Sequence, residues 1–351
     1  MSLRVALVGF GLSGRILHAP LIRAAGLVVG GVVSRRRDEV AALLPDACCH
    51  DTLPALLAAA APELVVVCSP NHLHREHCLQ ALAAGCHVIV EKPMTRDVRE
   101  ADELIAAARA ARRELMVFHN RRWDSDLLAL RALLQAGRLG ELQALQLRWD
   151  RFRPERVERW REQPQCGGGV LNDLGAHLLD QVLYLLGPPQ RLWADVFAQR
   201  AGATVDDGFD LHMQCGAVRV TLGVSSMAVD PGLRIRALGS AASFTSGVPD
   251  VQEAQLRAGL DPLSPAFGVP AVEDAGRLRR RDAAQSEALP LPRGEWLQFY
   301  RQAVACIVRG GPAPVSGVEG RKVMQLIEAA RRSSQSGCRV ELPARPGQYP
   351  G

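Results

Sequence analysis

The stretch Leu3-Arg-Val-Ala-Leu-Val-Gly9-Phe10-Gly11-Leu12-Ser13-Gly14-Arg-Ile-Leu17 decides the reading of the chain. An apolar strand runs directly into three glycines spaced Gly-x-Gly-x-x-Gly. Gly9 permits a tight turn, Gly11 lets the backbone approach a pyrophosphate, and Gly14 lets the following helix pack closely. Apolar residues at helical spacing follow (Ile16, Leu17, Leu21, Ile22), then a second apolar strand over Leu27–Val33. A βαβ unit of this kind predicts a dinucleotide site whose turn is Gly9, Phe10, Gly11, Leu12, Ser13 and Gly14. The plainer alternative is an ordinary strand-to-helix turn.

The end of the second strand selects the dinucleotide. An acidic residue there would hold a ribose 2′-hydroxyl, but the chain reads Val33-Ser34-Arg35-Arg36-Arg37 and its first carboxylate is Asp38. Ser34 can donate to a 2′-phosphate, and Arg35 or Arg36 can pair with it bidentately and stack on the adenine. The expected cofactor is therefore NADP(H), with NAD(H) second. The competing reading is a solvated charge run in an arginine-rich chain.

With 351 residues, 48% hydrophobic and 23% charged, the chain is long enough for two cores. A net charge of +5 with scattered arginines gives no nucleic-acid footprint. The longest apolar runs, such as Leu64–Cys68, are strand-sized, and the N-terminus shows no signal-peptide pattern, so the expectation is a cytoplasmic protein with no membrane partner. Nine cysteines, an odd number, fit reduced thiols. Of 42 basic residues only Lys92 and Lys322 are lysine. Where any surface cation would serve, this chain uses arginine, so a retained lysine is a candidate for a place that needs a compact point charge, with chance retention as the alternative. Lys322, on an expected solvent-facing helix, has no such role.

Strand and helix patterns alternate over residues 1–121, which predicts a doubly wound parallel sheet, an NADP-binding Rossmann domain. From about residue 122 to 351 the strands follow one another, predicting an α+β domain with a mostly antiparallel open sheet, for substrate binding and dimerisation. The stretch Thr245–Arg293, rich in Pro, Gly and charge, reads as an excursion with little regular structure. Two amphipathic helices (Glu295–Val308 and Val318–Ser336) close the chain, expected to pack back on the first domain.

Two places carry candidate chemistry. Lys92, in Glu91-Lys92-Pro93, follows a strand on the ligand edge of the sheet, where an ammonium can stabilise a developing alkoxide; Pro93 is a candidate cis proline. In Cys166-Gly-Gly-Gly-Val-Leu-Asn-Asp173-Leu-Gly-Ala-His177, Asp173 and His177 lie four apart on one helix face, spacing that suits a proton-transfer pair with an imidazole titrating near neutrality. Ser69-Pro70-Asn71-His72 forms the turn after another strand, with Asn71 and His72 expected at the nicotinamide ribose. His72, His74 and His77 mimic a metal cluster, but their spacing does not converge; no metal is expected, and His74 and His77 are read as surface residues. Cys48-Cys49-His50 is read as a buried strand.

Together, Gly9–Gly14, Ser69–His72, Glu91-Lys-Pro93 and Gly167–His177 resemble the Gfo/Idh/MocA family, named for glucose–fructose oxidoreductase, inositol dehydrogenase and a rhizopine-catabolism protein. His18-Ala-Pro20, Phe118-His-Asn-Arg-Arg-Trp-Asp124, Arg151-Phe-Arg-Pro154 and Arg159-Trp-Arg161 are similar to its bacterial branch that includes NADP-linked scyllo-inositol dehydrogenases. The resemblance implies that Lys92 polarises the reacting hydroxyl, Asp173 orients it and His177 exchanges its proton. It also implies a substrate pocket of Asn120, Arg153, Trp160 and Arg161, and a homo-oligomer, dimer or tetramer, formed through the C-terminal sheet. The expected function is hydride exchange between NADP(H) and a secondary hydroxyl or ketone of a cyclitol or sugar-like molecule. A dinucleotide- and sugar-binding sensor without turnover, or a reductase of a non-sugar carbonyl, is the alternative.

Overall fold

The computed structural model describes residues 3–342; the last expected residues of the second domain, 343–351, lie outside them. The first half alternates β1 (Arg4–Val8), α1 (Ala19–Ala24), β2 (Val28–Val33), α2 (Arg37–Leu43), β3 (Cys48–His50), α3 (Leu53–Ala60), β4 (Leu64–Val67), α4 (His74–Ala83), β5 (His87–Val90), α5 (Val98–Ala111) and β6 (Leu115–Val117). All six strands pair in parallel, in the order β3-β2-β1-β4-β5-β6. The order reverses between β1 and β4, so the glycine turn after β1 and the Ser69 turn after β4 flank the crevice where ligands bind in such sheets. β1, β4 and β5 are buried on both faces, which is why they read as continuous apolar runs.

The second half begins with α6 (Ser125–Gln135) and β7 (Leu142–Arg148), then α7 (Ala176–Leu186), β8 (Arg191–Phe197), β9 (Gly208–Cys215), β10 (Val218–Ser225), β11 (Ile235–Gly239) and β12 (Ala242–Ser246). It continues through α8 (Gln252–Arg257), β13 (Gly276–Arg280), β14 (Glu287–Leu289), α9 (Leu297–Arg309), α10 (Gly317–Ser336) and β15 (Val340–Glu341). Nine strands form one sheet, β14-β13-β12-β11-β7-β10-β9-β8-β15, in which β7 and β10 are parallel and every other pairing is antiparallel. Alternating burial along β8 and β9 leaves one face of this sheet partly exposed, Trp193 included.

Three expectations are corrected. The stretch Thr245–Arg293 holds α8 and two strands: β13 pairs with β12 and buries Leu278, while the arginines around Leu278 occupy its exposed positions and disguise the alternation. Cys48-Cys49-His50 is a short edge strand with Cys48 exposed, because the sheet ends there. His74 is fully buried, its ring nitrogens 2.9 and 3.0 Å from the carbonyl oxygens of Ser69 and Pro93, and half-buried His77 meets the Ser69 hydroxyl at 3.0 Å. These two histidines brace the ligand-edge turns. Both ring pKa values are lowered, mainly by burial.

Candidate active site

Gly9 adopts φ +100°, and a Cβ there would lie 2.8 Å from the Cys68 carbonyl oxygen; at Gly14 a Cβ would meet the Gly9 carbonyl oxygen at 2.3 Å. These two glycines are required by the turn. Gly11 differs, since a Cβ would meet nothing within 4 Å and the backbone faces open space, so the turn fits a dinucleotide pyrophosphate. The Phe10 ring is buried in the core, which leaves only its backbone for a ligand, whereas Leu12 and Ser13 line the cleft. At the end of β2 the Ser34 hydroxyl accepts the Arg36 N–H at 2.9 Å and keeps its own proton to donate. Arg35 has no side-chain partner among the described residues, and the Arg36 guanidinium pairs with Glu39 at 2.8 Å; Glu39 also pairs with Arg15.

Glu91, Lys92, Asn120, Arg153, Arg161, Asp173 and His177 meet in one cleft of about 350 Å³, beside Leu12 and Ser13 of the glycine turn. Lys92 comes from the turn after β5, where the Lys92–Pro93 bond is cis. Its Nζ donates to both Oδ1 and the main-chain oxygen of Asp173, each at 2.7 Å. Burial would raise the Asp173 carboxyl, but Lys92, Arg161 and Arg151 outweigh it and hold the group below the usual carboxylate range. Glu91 accepts from Ser13, and its Oε1 lies 3.1 Å from His18 Nε2, whose Nδ1 in turn lies 2.6 Å from the Tyr300 hydroxyl. Burial opposes its charge, yet His18, Lys92 and Ser13 bring its carboxyl down to about 2.

Asp173 belongs to a widened, π-type turn over Leu171–Gly175 that leads into α7, as Ser13–His18 leads into α1. Such turns concentrate where a helix opens on a ligand. His177, in the first turn of α7, is buried; its Nδ1 has no hydrogen-bond partner, and its ring lies 6.3 Å from that of Trp149. The expectation of an imidazole titrating near neutrality is corrected here. Burial first, then Lys92, Arg121, His119 and Arg234, lower its pKa well below the ordinary value, and Asp173 spends its charge on Lys92 instead.

Other expected residues fall outside the cleft. Trp160 does not line it; the ring sits 4.4 Å from the Arg161 guanidinium. Buried Asn71 donates to the Gly167 carbonyl oxygen at 3.0 Å, tying the Ser69-Pro70-Asn71-His72 turn to the glycine run, and half-buried His72 is not among the lining residues. Trp149, Arg121 and Trp296 line the cleft unannounced by the sequence reading. The Arg121 guanidinium stacks 4.1 Å above Trp149 and pairs with Glu253 at 2.9 Å, contacts made between elements far apart in sequence. The one available sign was Trp149 at the ligand-side end of a strand. Among the described residues no group of three or more His, Cys, Asp or Glu side chains is arranged to hold a metal ion.

Comparison with known proteins gives the family. Residues 3–119 match the Gfo/Idh/MocA model described as an oxidoreductase family with an NAD-binding Rossmann fold, and residues 127–245 match the Gfo/Idh/MocA C-terminal domain. The scyllo-inositol 2-dehydrogenase (NADP(+)) IolW of Bacillus subtilis is 36% identical over 95% of this chain and 94% of its own. D-glucoside 3-dehydrogenase of Escherichia coli is 34% identical over 53% of this chain and 55% of its own. The solved structure of the Bacillus subtilis yvaA protein superposes with a TM-score of 0.94 at 36% identity, covering 97% of this chain and 99% of that one. The chain therefore belongs to the Gfo/Idh/MocA family and is an NAD(P)-dependent oxidoreductase of that family.

Proposed function

We propose that the protein exchanges hydride between NADP(H) and a secondary hydroxyl or ketone of a cyclitol or sugar-like substrate. The observation that carries this reading is the convergence of Lys92, Asp173 and His177, from two separate halves of the chain, on one cleft beside the glycine turn. Similarity to an NADP-linked inositol dehydrogenase and to a glucoside dehydrogenase supports the substrate class.

When bound, the nicotinamide takes or gives the hydride. The chain's own part is positioning and proton management. Lys92, held by Asp173, donates a hydrogen bond to the reacting oxygen and stabilises alkoxide character. Neutral His177 takes the hydroxyl proton in oxidation and returns it in reduction. Asn120, Arg153 and Arg161 face the substrate. Ser34 and Arg35 take the 2′-phosphate, with Arg36 contributing on release from Glu39. We further propose the division at residue 121, a cytoplasmic location consistent with nine free thiols and with no described helix long and apolar enough to cross a membrane, and self-association through the exposed sheet face that carries Trp193.

The test mixes the enzyme with NADP or NAD and a panel of inositols, aldoses and polyols and follows the absorbance of reduced nicotinamide. Turnover with NADP preferred over NAD is the expected result. Tight NADPH binding with silence across the panel would move the function to a sensor or to a non-sugar carbonyl.

A further inference from the structure

Four arginines of the cleft, Arg151, Arg153, Arg159 and Arg161, also line a second cavity of about 440 Å³ immediately outside it. The chain delivers them in two pairs. Residues 151–153 run extended beside 225–227, with the Arg151 and Arg153 N–H groups donating to the Ser225 and Ser226 carbonyl oxygens at 2.9 and 2.7 Å. Side chains two apart on an extended segment leave on the same side, so Arg151 and Arg153 project together and Phe152 turns away. Arg159 and Arg161 flank Trp160 on a segment pinned by Gly169 N–H to the Arg161 carbonyl at 3.0 Å and by the Arg200–Glu162 ion pair at 2.8 Å.

Three of the four acids lining this cavity are already committed, the exception being the exposed Glu155, whose carboxylate has no partner among the described residues. Asp173 holds Lys92, with Arg161 3.6 Å away; Glu162 holds Arg200, with Arg159 at 3.4 Å; and Asp206 accepts the Leu171 N–H at 2.6 Å. Arg151 and Arg153 form no ion pair among the described residues, and the buried Nε groups of Arg151 and Arg159 have no acceptor. Burial first, and then the neighbouring Arg153, push the Arg151 guanidinium down to about 10. Buried donors left without acceptors mark a place built for something else to supply them. A neutral polyol would leave the charge uncompensated, whereas two free guanidinium groups match the charge and forked geometry of one phosphoryl group.

We propose that the substrate is a phosphorylated polyol or sugar whose phosphoryl group is seated on Arg151 and Arg153, with Arg159 at its edge and the reacting carbon toward Lys92 and His177. The position of the ring rests on the hydride-transfer reading above; the phosphoryl seat rests on the arginines alone.

The experiment is calorimetric titration of the NADPH-loaded enzyme, in which an alcohol cannot turn over. The probes are glucose, glucose 1-phosphate, glucose 6-phosphate, myo-inositol, myo-inositol 1-phosphate and glucuronate, repeated with Arg151→Met and Arg153→Met. At least one phosphorylated member should bind about tenfold or more tightly than its neutral parent, the yield of one charge-assisted hydrogen bond. Either variant should remove that preference, and Arg153, being exposed, can be replaced without risk to folding. Neutral parents binding as tightly in every pair, a preference that survives in both variants, or glucuronate binding as tightly as the phosphates would overturn the phosphoryl seat. So would variants that weaken NADPH instead of the sugar, which would assign the arginines to the cofactor. The same ligands are then offered with NADP: arginine-dependent phosphate binding without turnover would uphold the seat and overturn the hydride-transfer reading, and turnover of neutral sugars without preference would do the reverse.

Discussion

Lys92 and His177 share a cleft but obey opposite electrostatics. Lys92 faces a carboxylate held ionised by its surroundings, so its ammonium is fixed at 2.7 Å from Asp173 and aimed by it. Lys92→Met keeps the stem and deletes the charge, while Arg161 and Arg151 remain to compensate Asp173. Turnover should fall at least about 100-fold with NADPH affinity nearly unchanged; a variant retaining most of its kcat would remove Lys92 from the chemistry. His177 is pressed toward neutrality by burial and four cationic or imidazole neighbours. The neutral ring accepts the proton in oxidation, so activity is present above its folded pKa and is lost as pH falls through it. That value lies well below the ordinary histidine value of about 6.5. The acid limb of kcat/KM for oxidation should therefore sit well below pH 6.5, and a half-maximum at 6.5 or above would rule His177 out as the base.

Helices and turns place these residues, and Arg122 joins three of them. From the short turn Asn120–Trp123 its guanidinium donates to both Asp180 oxygens of α7 at 2.7 and 2.9 Å and to Glu319, in the first turn of α10, at 2.9 Å. Replacing it leaves Asp180 buried and uncompensated, so Arg122→Met should cost about 3–5 kcal/mol in urea unfolding, and adding Asp180→Asn should recover part of it. A loss below about 1 kcal/mol would show that water or relaxation satisfies the carboxylate. The sequence alone was informative where local pattern and tertiary role agree, as at Gly9, Gly14 and β5. It was misleading where pairing partners decide. β13 is a strand because β12 lies beside it, and His74 is buried because the turn at Pro93 folds over it. Likewise Lys92 could be picked out by its place and rarity, whereas Trp149 and Arg121 became cleft residues only through a stack that no spacing encodes.

The whole chain is held together by its last two helices. The core under the six-stranded sheet is completed by Trp296, which caps α9, and by Phe299, Tyr300 and Ala303 within it, nearly three hundred residues from β1, while α10 supplies Val323, Met324, Leu326 and Ile327 to the other core. α10 also grips the first half directly, through Arg321 with Asp102 and through Glu328, whose Oε1 accepts the Val98 N–H at 2.7 Å at the start of α5. Burying the three aromatics of α9 and its cap removes enough apolar surface from water to contribute on the order of 10 kcal/mol, as much as the whole net stability of a typical domain. A fragment of residues 1–121 lacks that contribution and should fail to melt cooperatively. The full chain should unfold in a single calorimetric transition, because neither core is complete without the segment that binds the other. Two resolved transitions, or a soluble 1–121 fragment with a sharp melt, would instead make the first half self-sufficient and reduce α9 to a surface addition.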